Sequence, residues 1–155
     1  MRRGSCHDSN SLYDSADRIR ANRSPGAASQ SAVSVSTVYD GPDLADTAAR
    51  SGLSTEELIA LHSGREYRAL FLGFMPGLAY CGMLDPRIDA PRLSSPRARV
   101  PSGSVAVVSG QTLVYPVDSP GGWRIIGRTD VPVFRPERDP AALIGVGDRL
   151  RFVPR

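Results

Sequence analysis

The hydrophobic pattern divides the chain into a patternless front, a helical stretch and a β-rich body. Residues 1–33 are polar, rich in Ser, Asn, Ala and Arg, and hold no sustained period, so a disordered tail is expected there. Alternation begins at Val33, Val35, Thr37 and Tyr39, which predicts the first strand. Asp40-Gly41-Pro42-Asp43 is turn chemistry that also launches a helix. Leu44, Ala45, Ala48 and Ala49 share one helical face, and Gly52 stands where a C′ residue belongs. Ser54-Thr55-Glu56-Glu57 spells a capping box, with Leu53 and Leu58 placed as a hydrophobic staple. Two short helices over 43–63, joined at Gly52 and ended by Gly64, follow.

Beyond Gly64 the period shortens. Tyr67–Phe74 is apolar enough for a buried strand. Val105–Val108, Thr112–Tyr115, Trp123–Ile126, Val131–Phe134 and Leu150–Val153 read as further strands. Asp139-Pro140 is expected to cap a brief helical turn over Ala141–Ile144. Short strands separated by Pro/Gly turns predict a mainly-β barrel or sandwich over 34–155.

Composition narrows the chemistry. With 155 residues, 41% hydrophobic and 23% charged, the chain suits one domain with one sizeable core. The net charge of +3 comes without basic blocks or interleaved aromatics, which argues against a nucleic-acid groove. All 19 basic residues are arginine, so no lysine Schiff base, Ser-Lys dyad or P-loop lysine can come from this sequence. Two cysteines, Cys6 and Cys81, and two histidines, His7 and His62, have no metal-site spacing and suggest no disulfide framework. The first residues lack the apolar core of a signal peptide, and no segment has transmembrane length, so a cytoplasmic protein is expected.

Candidate chemistry lies mostly between Phe74 and Trp123. In Gly73-Phe74-Met75-Pro76-Gly77-Leu78-Ala79-Tyr80 a Pro-Gly pair favours a type II turn that projects Phe74 and Tyr80. The loop reads either as a pocket lining or as a turn whose aromatics fill the core, and composition alone favours the core. Ser119-Pro120-Gly121-Gly122-Trp123 allows close backbone approach, and Trp123 reads equally as a core plug or a site wall. Ser104, Gln111 and Thr112 add hydroxyls and an amide beside strands. Arg97 and Arg99 suit a carboxylate or phosphate bidentately, or are solvated loop charges. His62 closes the capped helix; it either meets the helix C-terminus or serves as the histidine acid/base of the ordered region. Cys81 reads as a small buried hydrophobe.

Taken together, D-G-P-D-L, His62, G-F-M-P-G-L-A-Y, P-R-A-R-V-P-S-G-S-V, G-Q-T-L-V-Y-P, S-P-G-G-W-R-I-I-G-R-T and G-D-R-L-R-F resemble the family of the 5-oxoprolinase B subunit (PxpB), also called allophanate hydrolase subunit 1 or KipI. The resemblance runs from about Val35 to Pro154. It implies a cyclophilin-like β-barrel of the carboxyltransferase subdomain C/D type. It also implies an ATP-dependent 5-oxoprolinase, opening 5-oxo-L-proline to L-glutamate, in which this chain is inactive alone. A C-type subunit (allophanate hydrolase subunit 2 type) and an A-type subunit are the implied partners. ATP would be shared across the interface, with any metal requirement open. The implied composite site takes its near wall from Phe74, Pro76, Gly77, Tyr80, Arg97, Ser104, Gln111, Thr112, Ser119, Gly121, Gly122 and Trp123, with His62 as acid/base. The other implied role is that of a KipI-like inhibitor docking on a sensor histidine kinase. Leu78, Cys81 and Leu113 depart from the usual family pattern and are expected in the pocket wall. The family's folded N-terminal domain has no counterpart legible in residues 1–33.

Overall fold

The computed structural model describes residues 32–155, so the expectation of a disordered tail falls almost wholly outside the described residues. In chain order the elements are β1 (Val33–Thr37), α1 (Leu44–Arg50), α2 (Thr55–Ser63), β2 (Tyr67–Leu72) and β3 (Ala79–Gly82). β4 (Arg97–Val100), β5 (Ser104–Val108), β6 (Gln111–Val114), β7 (Ser119–Gly121), β8 (Arg124–Arg128) and β9 (Arg149–Pro154) follow.

Seven strands form one sheet in the order β1-β9-β2-β3-β6-β5-β8, and β4 pairs with β7 in a separate two-stranded sheet. The ends of the large sheet meet. Val38, one residue past β1, bridges Arg128 at the end of β8 through reciprocal N–H to O=C bonds of 2.8 Å. Joining the edge strands in this way removes the open edges a flat sheet would leave. The mainly-β barrel with two short helices, expected from the sequence, is borne out.

Two apolar clusters hold it together. Val105, Val107, Val114 and Ile126 belong to the larger one, with Leu58 of α2 and Phe152 of β9. Their neighbours Ala106, Val108, Leu113 and Ile125 belong to the other, with Val100, Tyr115 and Trp123 from the side of the short sheet. β5 is therefore buried along its whole length, which explains its unbroken apolar run.

The helices are built as the sequence predicts. The Ser54 hydroxyl accepts from Glu57 N at 3.1 Å, and Ser54 N donates back to the Glu57 carboxylate at 2.7 Å. Gly52 has φ +67 and links the helices. The D-G-P-D-L segment is a clasp on β8. Gly41 N–H and Asp43 N–H donate to the carbonyls of Ile126 and Ile125 at 3.2 and 3.0 Å. A Cβ on Gly41 would sit 2.3 Å from Ile125 O, so only glycine allows this approach.

The structure corrects three sequence expectations. Val131–Phe134 is not a strand; only Phe134 makes a bridge, to Ala142. No helical turn forms over Ala141–Ile144, because Ala141 O and Leu143 N bond across to Arg135 N and Val133 O at 2.9 and 2.8 Å. Tyr67–Phe74 is not buried throughout: the strand ends at Leu72, and Leu70, Phe71, Leu72 and Phe74 are exposed. Strands β3, β4 and β7, three or four residues each, were not predicted. Their Gly, Pro and Arg content and short length hide the alternation.

Candidate functional site

His62 lies in the last turn of α2 with no exposed surface. Its ring packs 4.5 Å from Phe152 and 5.4 Å from Tyr67, centroid to centroid. Thr112 gives its hydroxyl proton to Ala106 O at 3.1 Å and therefore accepts from His62 Nε2–H at 2.9 Å. That tautomer leaves Nδ1 to accept from the Tyr39 hydroxyl at 2.7 Å. Burial pushes the imidazole down to about 3. A neutral ring with both nitrogens occupied inside the core neither meets substrate nor cycles a proton near neutral pH. The placement does not fit the acid/base role expected for His62, and Thr112 is spent on holding it.

The arginines named from the sequence are also engaged. Arg97 closes a two-pronged pair on Asp43, both contacts 2.8 Å, and Asp43 further accepts from Ile125 N at 2.7 Å. Arg99 binds Asp118 at 2.8 and 2.6 Å. Ser104 is buried and donates to Pro101 O at 2.7 Å. Gln111 opens β6, half-buried, opposite Gly82 and Val108.

Of the remaining named residues, Tyr80 and Trp123 meet, while Phe74, Pro76 and Gly77 lie in the turn before β3. Leu78 N–H donates to Met75 O at 3.2 Å across Pro76 and Gly77, and Gly77 has φ +81, the type II turn expected. A Cβ there would lie 2.6 Å from the Phe134 Cβ, so the position is doubly restricted to glycine. Phe74 projects from the turn, 76% exposed and with φ +68. Behind it an aromatic row crosses the sheet. Phe71 stacks on Tyr80 at 4.5 Å, and Tyr80 meets the edge of Trp123 at 5.6 Å. Trp123 itself is only 5% exposed and belongs to the second core cluster, so it serves as plug and wall at once. Beside it runs β7, where Gly121 is tight against Tyr115: an added Cβ would stand 2.3 Å from the Tyr115 hydroxyl oxygen. Gly122 O accepts from Leu93 N at 2.8 Å. Ser119 Oγ is shielded from solvent and makes no hydrogen bond among the described residues.

Two residues of this wall escaped sequence reasoning. Phe71 was hidden in a run read as buried. Arg92 lies over the Trp123 ring, its Cζ 5.9 Å from the centroid, and among the described residues it meets no carboxylate. Burial pushes the Tyr115 hydroxyl up, and the nearby Arg92 pulls against that shift. Arg92 carries no motif of its own, so only the fold reveals it.

The departures from the family pattern are not in the wall. Leu78, Cys81 and Leu113 are 1, 1 and 2% exposed and lie in the core behind it. Cys81 is a packed hydrophobe whose thiol burial pushes up to about 12. No helix among the described residues is long and apolar enough to cross a membrane.

Comparison with known proteins agrees with the motifs. The chain is 46% identical over 126 residues to the 5-oxoprolinase B subunit of Escherichia coli O157:H7, covering 79% of this chain and 58% of that one. With the 5-oxoprolinase B subunit of Bacillus subtilis it is 47% identical over 113 residues, covering 73% of this chain and 47% of that protein. The chain thus spans about half the length of the curated relatives it matches. The crystal structure of TTHA0988 superposes with a TM-score of 0.77 at 43% identity, over 80% of this chain and 25% of that one. The resemblance to the 5-oxoprolinase B-subunit family read from the motifs is therefore borne out. Residues 5–144 match the carboxyltransferase domain, subdomain C and D, and the chain belongs to that family.

Proposed function

We propose that this chain is a subunit of an ATP-dependent 5-oxoprolinase, inactive alone, which lends one wall to a site completed by a C-type subunit. Relatives named as 5-oxoprolinase B subunits support the activity. The observation that carries the composite reading is the state of the polar groups: His62 is sealed, Arg97 and Arg99 are tied to aspartates, and Arg92 lies over Trp123 and meets no carboxylate among the described residues.

A lactam carbonyl is a poor electrophile, and ATP would supply a phosphoryl group that turns its oxygen into a leaving group. Two tied arginines and no lysine make a poor phosphate cradle, so the phosphates would be held from the partner's side. What this wall offers suits the lactam. Phe71, 47% exposed and stacked on Tyr80, gives an apolar surface for a five-membered ring, with Trp123 packed behind the pair. Arg92 would take the substrate carboxylate, and Ser119 Oγ, shielded and without a partner among the described residues, would add a hydrogen bond.

In the reconstituted assembly, Arg92→Ala is expected to raise KM for 5-oxoproline roughly ten- to a hundredfold, matching about 1.5–3 kcal/mol for a charge-assisted bond. Arg92→Lys should recover part of the loss, and kcat should change little. An unchanged KM in Arg92→Ala removes Arg92 from the site. Absence of any 5-oxoproline-dependent ATP hydrolysis in the wild-type assembly removes the activity itself.

A further inference from the structure

Five of the eight exposed large apolar residues of the described chain lie close together in sequence and sheet. Leu70, Phe71 and Leu72 are 44, 47 and 41% exposed, and Phe74 and Met83 are 76 and 73% exposed. They form one ridge. Leu70 covers Gly82, where an added Cβ would come 2.8 Å from Leu70 Cδ1, and Met83 follows directly. The backbone itself produces the ridge. Leu70 is the extra residue of a bulge, the register passing from Ala69↔Cys81 to Phe71↔Tyr80. A bulge re-aims side chains, and here three successive residues turn outward. β9 pairs with β2 only at Tyr67 and Arg68, and Ala69 is bonded to Asp148 and Gly147. Past Ala69, no strand among the described residues covers the edge of β2 that faces away from β3. Phe74 holds φ +68, which costs a side-chain-bearing residue roughly 1–2 kcal/mol, and the ring it projects packs into no core.

Charge identifies what fits. At least nine arginines of the described chain hold an aspartate or glutamate. Arg68 and Arg151 hold none among the described residues, and both are exposed. Arg68 precedes Leu70 by two residues and stands opposite Arg149, whereas the antiparallel register carries Arg151 away from the ridge. Arg68 therefore sets at the flank of the ridge a positive charge that meets no carboxylate among the described residues.

We propose that the Leu70–Phe74 ridge with Met83 docks a separate polypeptide whose contact face is apolar at its centre and acidic at its rim. A second copy of this chain would set Arg68 against like charge in a protein of net +3. Residues 1–31 carry five arginines against three aspartates, so they supply no acidic rim either. In TTHA0988 the matched part is 25% of a longer chain, so there this domain is continuous with much additional protein. Aromatic and methionine side chains at the centre with arginine at the edge is the composition of an interface core and its rim.

The inference rests on the reading that this chain works in an assembly, and the probe is the C-type subunit. Its Kd is measured for wild type, Phe71→Asp, Phe74→Asp, Arg68→Glu and Val153→Asp, an exposed apolar position at the far end of β9. Circular dichroism and Tm verify that each exposed substitution leaves the fold intact. Phe71→Asp and Phe74→Asp are expected to weaken binding at least about thirtyfold, the scale of an interface hot spot. Arg68→Glu should weaken it less and reduce its salt dependence, and Val153→Asp should bind as wild type. Equal binding by wild type and both ridge variants overturns the docking surface and leaves the proposed function standing. A wild-type chain that binds no C-type subunit overturns both. A wild-type dimer that Phe74→Asp dissolves assigns the ridge to a second copy and overturns the acidic partner.

Discussion

Burial moves the His62 imidazole from its ordinary value of 6.5 to about 3, because the core penalises the charged ring. Between those values the unfolded chain binds a proton that the folded chain refuses. Folding stability is thus fully present above pH 6.5 and declines as pH falls toward 3. From pH 6.5 to about 5, above the range where carboxylates titrate, the loss is expected to be about 1–2 kcal/mol. Urea melts across that window measure it. His62→Gln should be less stable at neutral pH yet show a flatter decline; an equally steep decline would assign the slope to other groups. Phe74 gives a test of opposite sign. Phe74→Gly relieves the left-handed backbone and gives up little burial, so it should stabilise the free chain by about 1 kcal/mol. The same variant should weaken the complex. A Tm below wild type would contradict the strain. The sequence marked both positions but could not say which faced water, since exposure is set by the bulge at Leu70 and by the packing of Phe152, neither of which leaves a periodic trace.

At the scale of elements, helix α1 is the tie between the barrel and the short sheet. Asp43, its N-cap, gathers Arg97 of β4 and the Ile125 amide of β8, while Asp46 pairs with Arg124. Asp43→Ala leaves a shielded amide and a partly shielded guanidinium without their acceptor. The expected cost is about 2–3 kcal/mol, with Arg97 still a third exposed and so partly solvated. Denaturant melts of the isolated chain read it directly, and a loss below about 0.5 kcal/mol would place the pair among ordinary surface bridges. The capping box, the Gly52 link and the strands with long apolar runs were legible because local chemistry dictates them. β4 and β7 were not, because their order comes from Asp43, Asp118 and the second core cluster rather than from their own residues. The D-G-P-D-L motif was legible as a signature but not as a clasp, since its glycine is explained only by the backbone of β8.

Over the whole molecule, the wall and the ridge meet at Phe71, which stacks on Tyr80 and through it reaches Trp123, with Arg92 over the Trp123 ring. The polar residues that sequence reasoning nominated mostly turn inward and hold the barrel. Family motifs drew attention to the stretch from Phe74 to Trp123, while the division between structural and outward-facing members needed the fold. A chain organised this way is expected to contribute surface and substrate contacts, with phosphate handling and proton transfer supplied from elsewhere. The most direct test is 5-oxoproline-dependent ATP hydrolysis, compared between the chain alone, the C-type and A-type subunits without it, the complex of all three, and that complex carrying His62→Gln at a temperature where that variant is folded. The account predicts turnover only in the two complexes, with His62→Gln retaining most of it. Turnover by the chain alone, or its loss in folded His62→Gln, would contradict it.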